Sequence, residues 1–321
     1  MKGIAVAGSI LIDRINDIEK YPTAGELTKI LAIKSATGGC VPNVAIDLKR
    51  LSPELPVFAI GKVGRDADGE LAREILESEG VDCSGFTESD ERTSFTEVMS
   101  EVGGQRTFFT YPGASDEFGF DDVDFDKIDA KMLHLGYYLL LKKVDAGEGE
   151  LILKEAKARG ISTSIDLVSE NSDRYSAIIP SLKYTDNLII NELEAGALTG
   201  IEPKRENLER IAKKLMELGV RERVIIHEKS LGILVSERGT EIIGSFELPT
   251  GFIKGTTGAG DAFCAGALLA IHEGKSDREI LEYATVSAIG ALSEADAVSG
   301  MRSIDELKKL TYNMRRTNIC L

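Results

Sequence analysis

Residues 255–266 read GTTGAGDAFCAG, and the chain continues through residue 272 as ALLAIH. Three glycines and two threonines stand directly before one aspartate, Asp261. Beyond Gly260 the pattern turns helical: Asp261, Phe263, Ala267, Leu268 and Ile271 leave an apolar face with small residues between. The spacing therefore predicts a helix whose N-terminus carries the glycine turn. The first N–H groups of a helix lack intrahelical partners, and that end of its dipole is positive. Glycines let those groups approach an anion closely. Gly258, Ala259 and Gly260 are thus expected to form an anion hole, with Asp261 in the first turn. Its carboxylate has two readings. It is an N-cap, where Asp is favoured, or a general base that takes a proton from an attacking hydroxyl beside a phosphate. No Gly-Lys-Ser/Thr follows, so this is not a Walker loop.

Outward from this stretch, strand-like runs alternate with helical ones. GIAVAGS (3–9), PVFAIGKVG (56–64), KMLHLGYYLL (131–140), GISTSIDL (160–167), DNLIINELE (186–194) and RVIIHEK (223–229) read as strands. Between them, VPNVAIDLKRL (41–51), ADGELAREILESEG (67–80), GELILKEAKARG (149–160) and ENLERIAKKLMELG (206–219) have helical spacing. That order predicts βαβ units and an α/β fold: a mostly parallel sheet with helices on both faces. Two stretches break the rhythm, ELTKILAIKSATGG (26–39) and RTSFTEVMSEVGGQRTFFTYPG (92–113). They alternate apolar and polar residues, and the second carries a Gly-Gly turn of hairpin type. They predict a small antiparallel sheet, a lid built from segments at about 11–36 and 92–112, on a single domain spanning 1–321.

Bulk properties narrow the function. A net charge of −15 argues against nucleic-acid binding, which needs clustered Lys and Arg. The four cysteines, Cys40, Cys83, Cys264 and Cys320, form no CxxC pair and no zinc spacing. Free thiols in a reducing cytosol are expected. The N-terminal GIAVAGSIL is too short for a signal segment, and no apolar run reaches the ~20 residues of a membrane span. A cytoplasmic protein without membrane or nucleic-acid partners follows. His134 lies in an apolar strand, and Cys264 follows Asp261 on its helix; both read as core residues.

Several segments together resemble the ribokinase-like, or phosphofructokinase-B, carbohydrate kinases. GTTGAGDAFCAGAL is similar to that family's C-terminal signature. SATGGCVPNVAIDLKRL resembles its Gly-Gly segment, with Gly38, Gly39 and Asn43 in place. GKVGRDADG, NELEAGALTG with Asn191 and Glu194, GSILID with Asp13, and RTFFTYPGAS match further motifs in the family's order, from residue 3 to about 305. The resemblance implies phosphoryl transfer from a nucleotide, usually ATP with Mg2+, to a hydroxyl of a sugar, polyol or nucleoside. It implies Asp261 as base and the 258–260 backbone as the cradle for phosphoryl charge. It further implies Asp13, Gly38, Gly39 and Asn43 at the substrate, Arg106 and Phe109 covering it from the lid, and Asn191, Lys229, Gly232 and Thr257 at the nucleotide. Glu194 would act on magnesium through water. Taken alone, Asn191 and Glu194 read as a plain helix start.

The match departs from the family at two places. Gly255 stands where relatives carry an aspartate beside the anion hole that helps hold a monovalent cation. The segment VIIHEKSLGILV keeps only Gly232 of a Thr-x-Gly-x-x-Gly pattern, with His227 and Lys229 at its first two positions. Cation activation and donor nucleotide are therefore open. Either Asp296 supplies the lost carboxylate from the neighbouring loop, or Lys229 supplies fixed positive charge, the preferred reading. The run RTFFTY on so thin a sheet predicts a homodimer through the lid. Two rival readings remain. One is a non-catalytic binder that retains the kinase fold. The other is a dinucleotide-dependent oxidoreductase, which is weak because GSILID is not GxGxxG.

Overall fold

The computed structural model describes residues 2–101, 104–169 and 173–319. Gly103 of the Gly-Gly turn and Cys320 lie outside these residues. The chain begins with β1 (Gly3–Ala7), β2 (Leu11–Ile18), β3 (Ile30–Gly38), α1 (Cys40–Leu51), β4 (Val57–Gly64), α2 (Ala67–Ser78) and β5 (Asp82–Ser89). There follow β6 (Ser94–Glu101), β7 (Arg106–Tyr111), β8 (Ala130–Tyr138), α3 (Gly149–Ala158), β9 (Ser162–Leu167), α4 (Ile179–Leu182) and β10 (Asn187–Asn191). The remainder is α5 (Glu192–Thr199), α6 (Arg205–Glu217), β11 (Arg223–Glu228), β12 (Leu231–Ser236), β13 (Gly239–Gly244), α7 (Ala259–His272), α8 (Asp277–Leu292) and α9 (Ile304–Thr311).

Nine strands form the main sheet in the order β13-β12-β11-β10-β9-β8-β1-β4-β5. It is parallel from β11 to β5, and the β12 and β13 edge is antiparallel. Successive side chains of a strand point to opposite faces, and both faces are buried. In β1, Ile4 and Val6 pack with α1, α7 and α8, while Ala5 and Ala7 pack with the layer containing α3 and α6. This explains the nearly unbroken apolar strand runs. The α/β architecture expected from the sequence is the one observed.

The second sheet has the order β3-β2-β6-β7. Its two hairpins are antiparallel inside, but they join through β2 and β6, which run parallel. The sheet is therefore mixed. Sequence reading found the hairpins through their alternation, but pairing between segments some eighty residues apart leaves no local signal.

Candidate functional site

Gly258, not Asp261, caps α7. It sits at φ +77°, which L side chains rarely adopt, and a Cβ there would meet the Ala297 carbonyl oxygen at 2.5 Å. The N-cap reading of Asp261 thus falls. Asp261 is 5% exposed and lines one cavity with Gly258 and Gly260. Its Oδ2 accepts a hydrogen bond from Asn43 Nδ2 at 2.8 Å and another from the Tyr137 hydroxyl at 2.9 Å. Among the described residues Oδ1 has no hydrogen-bond partner. Burial, reinforced by the Asp166 carboxylate, pushes Asp261 up to about 7, against the pull of the two donors. A carboxyl at that value suits proton abstraction near neutral pH.

Tyr137 and Asp166 were not foreseen. Tyr137 lies near the end of β8 at φ +54°, an uncommon conformation for a bulky residue. Its N–H donates to Asp166 Oδ1 at 2.5 Å while its hydroxyl reaches Asp261. In the sequence, HLGYYLL reads as an ordinary strand, because a left-handed residue beside a bulge leaves no pattern of apolar spacing. Asp166, on β9, was visible only as a lone carboxylate in an apolar run.

A cavity of about 180 Å3 opens over Asp261, lined also by Gly258, Gly260, Asp166, Asn191, Glu194 and His227. A more apolar groove of about 550 Å3 adjoins it, between Leu193, Lys229, Leu231, Ile253, Thr256, Phe263 and Ile289. Asn191, His227 and Gly260 border both. Ala259 faces the groove and directs its N–H to the Thr256 carbonyl at 3.4 Å, so of the three expected donors Gly258 and Gly260 line the smaller cavity. Asn191 and Glu194 form a capping box on α5: Asn191 Oδ1 accepts from the N–H groups of Leu193 and Glu194, and Glu194 Oε2 accepts from Asn191 N–H at 3.1 Å. The helix-start role is thus real, and both side chains also face the cavity. Burial pushes Glu194 up to about 7. It pushes His227 down to about 4, so His227 is a neutral imidazole.

Two nucleotide positions need revision, Thr257 and Gly232. Thr256, not Thr257, lines the groove; the chain turns between them. Gly232 does not line it either: it pairs with His227 across β11 and β12, and its bare Cα faces Leu281 and Phe263. Lys229 is exposed on the β11–β12 turn at the groove's edge. Asp296 is committed to its own loop, since Oδ1 accepts the N–H groups of Val298 at 3.0 Å and Ser299 at 2.7 Å. Burial opposes its ionisation, yet these donors hold it below the usual carboxylate value. At Gly255 a Cβ would lie 2.7 Å from the Ala295 carbonyl oxygen, so the two loops touch where an aspartate side chain would need room.

On the substrate side, Asp13 projects from β2 beside Gly38, where a Cβ would strike its Oδ2 at 2.5 Å. Burial pushes Asp13 up to about 6. Gly39, at φ +89°, caps α1 against Ser9, whose oxygens accept from Cys40 and Val41 N–H. Asn43 combines its expected place with a contact to Asp261, and its Oδ1 is buried without a partner. The lid residues are corrected by register. Asp13 lies in one row with Thr96 and Thr110, so Phe108 and Arg106 share its face and Phe109 points to the other. Arg106 also stands four residues beyond Thr110, about 13 Å along the strand, too far for a group held by Asp13.

Comparison with known proteins identifies the family. Residues 1–303 match the pfkB family carbohydrate kinase. The chain is 26% identical to ribokinase of Arabidopsis thaliana over 313 residues, covering 96% of this chain and 80% of that protein. It is 29% identical to probable fructokinase-7 of the same plant, covering 96% and 92%. The structure of Arabidopsis thaliana ribokinase complexed with ribose and ATP superposes with TM-score 0.82 at 26% identity, covering 96% of this chain and 98% of the other. The chain belongs to the pfkB family of carbohydrate kinases. It is an ATP-dependent carbohydrate kinase.

Proposed function

We propose that Asp261 takes the proton from a hydroxyl of an unphosphorylated sugar, polyol or nucleoside as that oxygen attacks the γ-phosphoryl group of ATP. The observation that carries this reading is the buried Asp261 carboxylate beside the N-terminus of α7, with Asn43 and Tyr137 both donating to one oxygen and the other left for the acceptor. Gly258 and Gly260 N–H groups hold charge that develops on the phosphoryl oxygens. The apolar groove suits a nucleobase, and Asn191 and Lys229 flank the path of the phosphates. Both Glu194 oxygens already accept hydrogen bonds, from Ser169 Oγ at 2.7 Å and Asn191 N–H, which suits holding Mg2+ through its waters. That ion would neutralise phosphate charge.

Asp13 and the unpartnered Asn43 Oδ1 are placed to accept from acceptor hydroxyls. Among the described residues no basic cluster serves them. Arg14 points from the other lid face and pairs with Asp68 and Glu97, and Arg106 stands too far along its strand. An acceptor without phosphate follows. On the lid face away from Asp13, Ile33 is 68% exposed and Phe109 59%, which supports a homodimer formed through that face. Phe109 then serves subunit contact rather than substrate. The cytoplasm suits the buried free thiols of Cys40, Cys83 and Cys264. ATP consumption measured over a panel of sugars, polyols and nucleosides tests the assignment. Turnover with at least one neutral acceptor is expected; consumption confined to phosphorylated acceptors would overturn it.

A further inference from the structure

Beneath Asp261 lies a second group of side chains, of which only Asp166 bears on the proposed base. Cys40 opens α1, His134 is on β8, Asp166 is on β9 and Cys264 is on α7. One ligand atom from each of Cys40, His134 and Asp166 lies within 4.8 Å of the other two, and all three residues are buried. His134 Nε2 is 3.5 Å from Asp166 Oδ2 and 3.5 Å from Cys264 Sγ. Its other nitrogen, Nδ1, is 2.9 Å from Ser164 Oγ, which fixes the ring with Nε2 turned to the thiols and the carboxylate. Gly136 makes room: a Cβ there would come within 1.7 Å of Cys40 Sγ. The pocket has an entrance, because Asp166 and Cys264 line the floor of the cavity over Asp261.

We propose that Cys40, His134 and Asp166 form a binding site for a thiophilic divalent cation of the zinc type. Soft sulfur and imidazole donors with one carboxylate select such an ion over magnesium, which prefers an all-oxygen shell. Charge favours it too. Burial first, and then the Asp166 and Asp261 carboxylates, drive the Cys40 and Cys264 thiols away from ionisation. A dication answers that surplus of negative charge. On binding, the Cys40 S–H bond breaks, sulfur keeps the electron pair and bonds the metal, and the proton leaves to solvent. No oxidation state changes.

The same geometry makes the site inhibitory. Asp166 holds the Tyr137 N–H through Oδ1, and Tyr137 holds Asp261. A cation drawn to Asp166 disturbs that line and neutralises the charge that keeps Asp261 basic. kcat is therefore expected to fall with little change in KM for either substrate, and chelation to restore it.

The binding claim stands on geometry and is read without turnover, so it can fail or hold independently of the kinase roles. The full chain, reduced and stripped of metal, is titrated with Zn2+ against a chromogenic chelator, and in parallel with Co2+. One ion per chain and a thiolate-to-cobalt charge-transfer band are expected. Cys40→Ala should weaken Zn2+ binding by roughly tenfold or more, since even outer partners of a metal site are worth that much. His134→Gln is the second variant should Cys40→Ala not fold. His272→Gln, at the other end of α7 where the buried imidazole contacts the Lys2 carbonyl, is the histidine control and should bind as the parent does. Absence of stoichiometric Zn2+, or binding unchanged in both Cys40→Ala and His134→Gln, would overturn the proposal.

Discussion

Asp261→Asn should lose turnover and gain stability, and the gain should depend on pH. The Asp261 carboxyl moves from 3.8 to about 7 on folding. The native state therefore holds a proton that the unfolded chain releases, and stability falls as pH rises between those two values. Above the upper value the native protein carries a buried charge costing about 4 kcal/mol, an upper bound for a site that opens on a cavity. Asparagine keeps the shape and can still accept from Asn43 and Tyr137, but it removes the charge. Spread over the unfolding entropy of a 321-residue chain, about 4 kcal/mol is about 6 °C in Tm. Thermal melts of the ligand-free parent and variant at about pH 4.5 and about pH 8 read the effect directly. The curves should lie about a quarter of that amount apart at the lower pH and separate by up to the whole of it at the higher. In the same variant kcat should fall by a factor on the order of a hundred or more while sugar binding survives. A Tm difference independent of pH would refute the buried-charge reasoning. More than a tenth of parental turnover would refute the base.

Opposite shifts are expected from the two residues that surround the base. Tyr137→Phe removes a donor to the ionised carboxylate and should move the acid limb of the pH–rate profile to higher pH; Asp166→Asn removes a like charge and should move it lower. Lys229→Ala should cost about 2 kcal/mol of transition-state binding, and the parental rate in potassium-free buffer should stay within about twofold of the potassium value; strong potassium activation lost in Asp296→Ala would favour the bound-ion alternative. Ile33→Glu with Phe109→Glu should leave a monomer in sedimentation, with a parental sedimentation profile counting against the lid dimer.

The parts of the fold legible in the sequence are those written in local spacing. Both faces of β1 are buried, so IAVA reads as an unbroken apolar strand, and the heptad-like face of α6 reads as a helix. Asp261 was legible for the same reason: a glycine turn at a helix start has few other uses. What stayed hidden depends on residues distant in sequence. Tyr137 meets Asp261 across 124 positions, and its unusual φ has no propensity signal. Phe108 and Phe109 are adjacent aromatics, and only the register with β6 decides which of them faces Asp13. Gly232 is the one glycine its segment keeps of a phosphate pattern, yet its bare Cα faces the side chains of Phe263 on α7 and Leu281 on α8.

The parallel seam between β2 and β6 limits how the small sheet can move. Four strand ends tie it to the body: three residues between β1 and β2, one between β3 and α1, four between β5 and β6, and the short step out of β7 into the turn at Gly113. A plate moored at four corners of one edge cannot swing open like a flap on a single strap. It can tilt as one piece about that edge, carrying Asp13 and Phe108 together. Its far end, at Ile18, Ile30 and Glu101, then travels farthest, and Ile33 and Phe109 move with it part of the way, so a second subunit clasped at those two residues would act as a brake on the tilt.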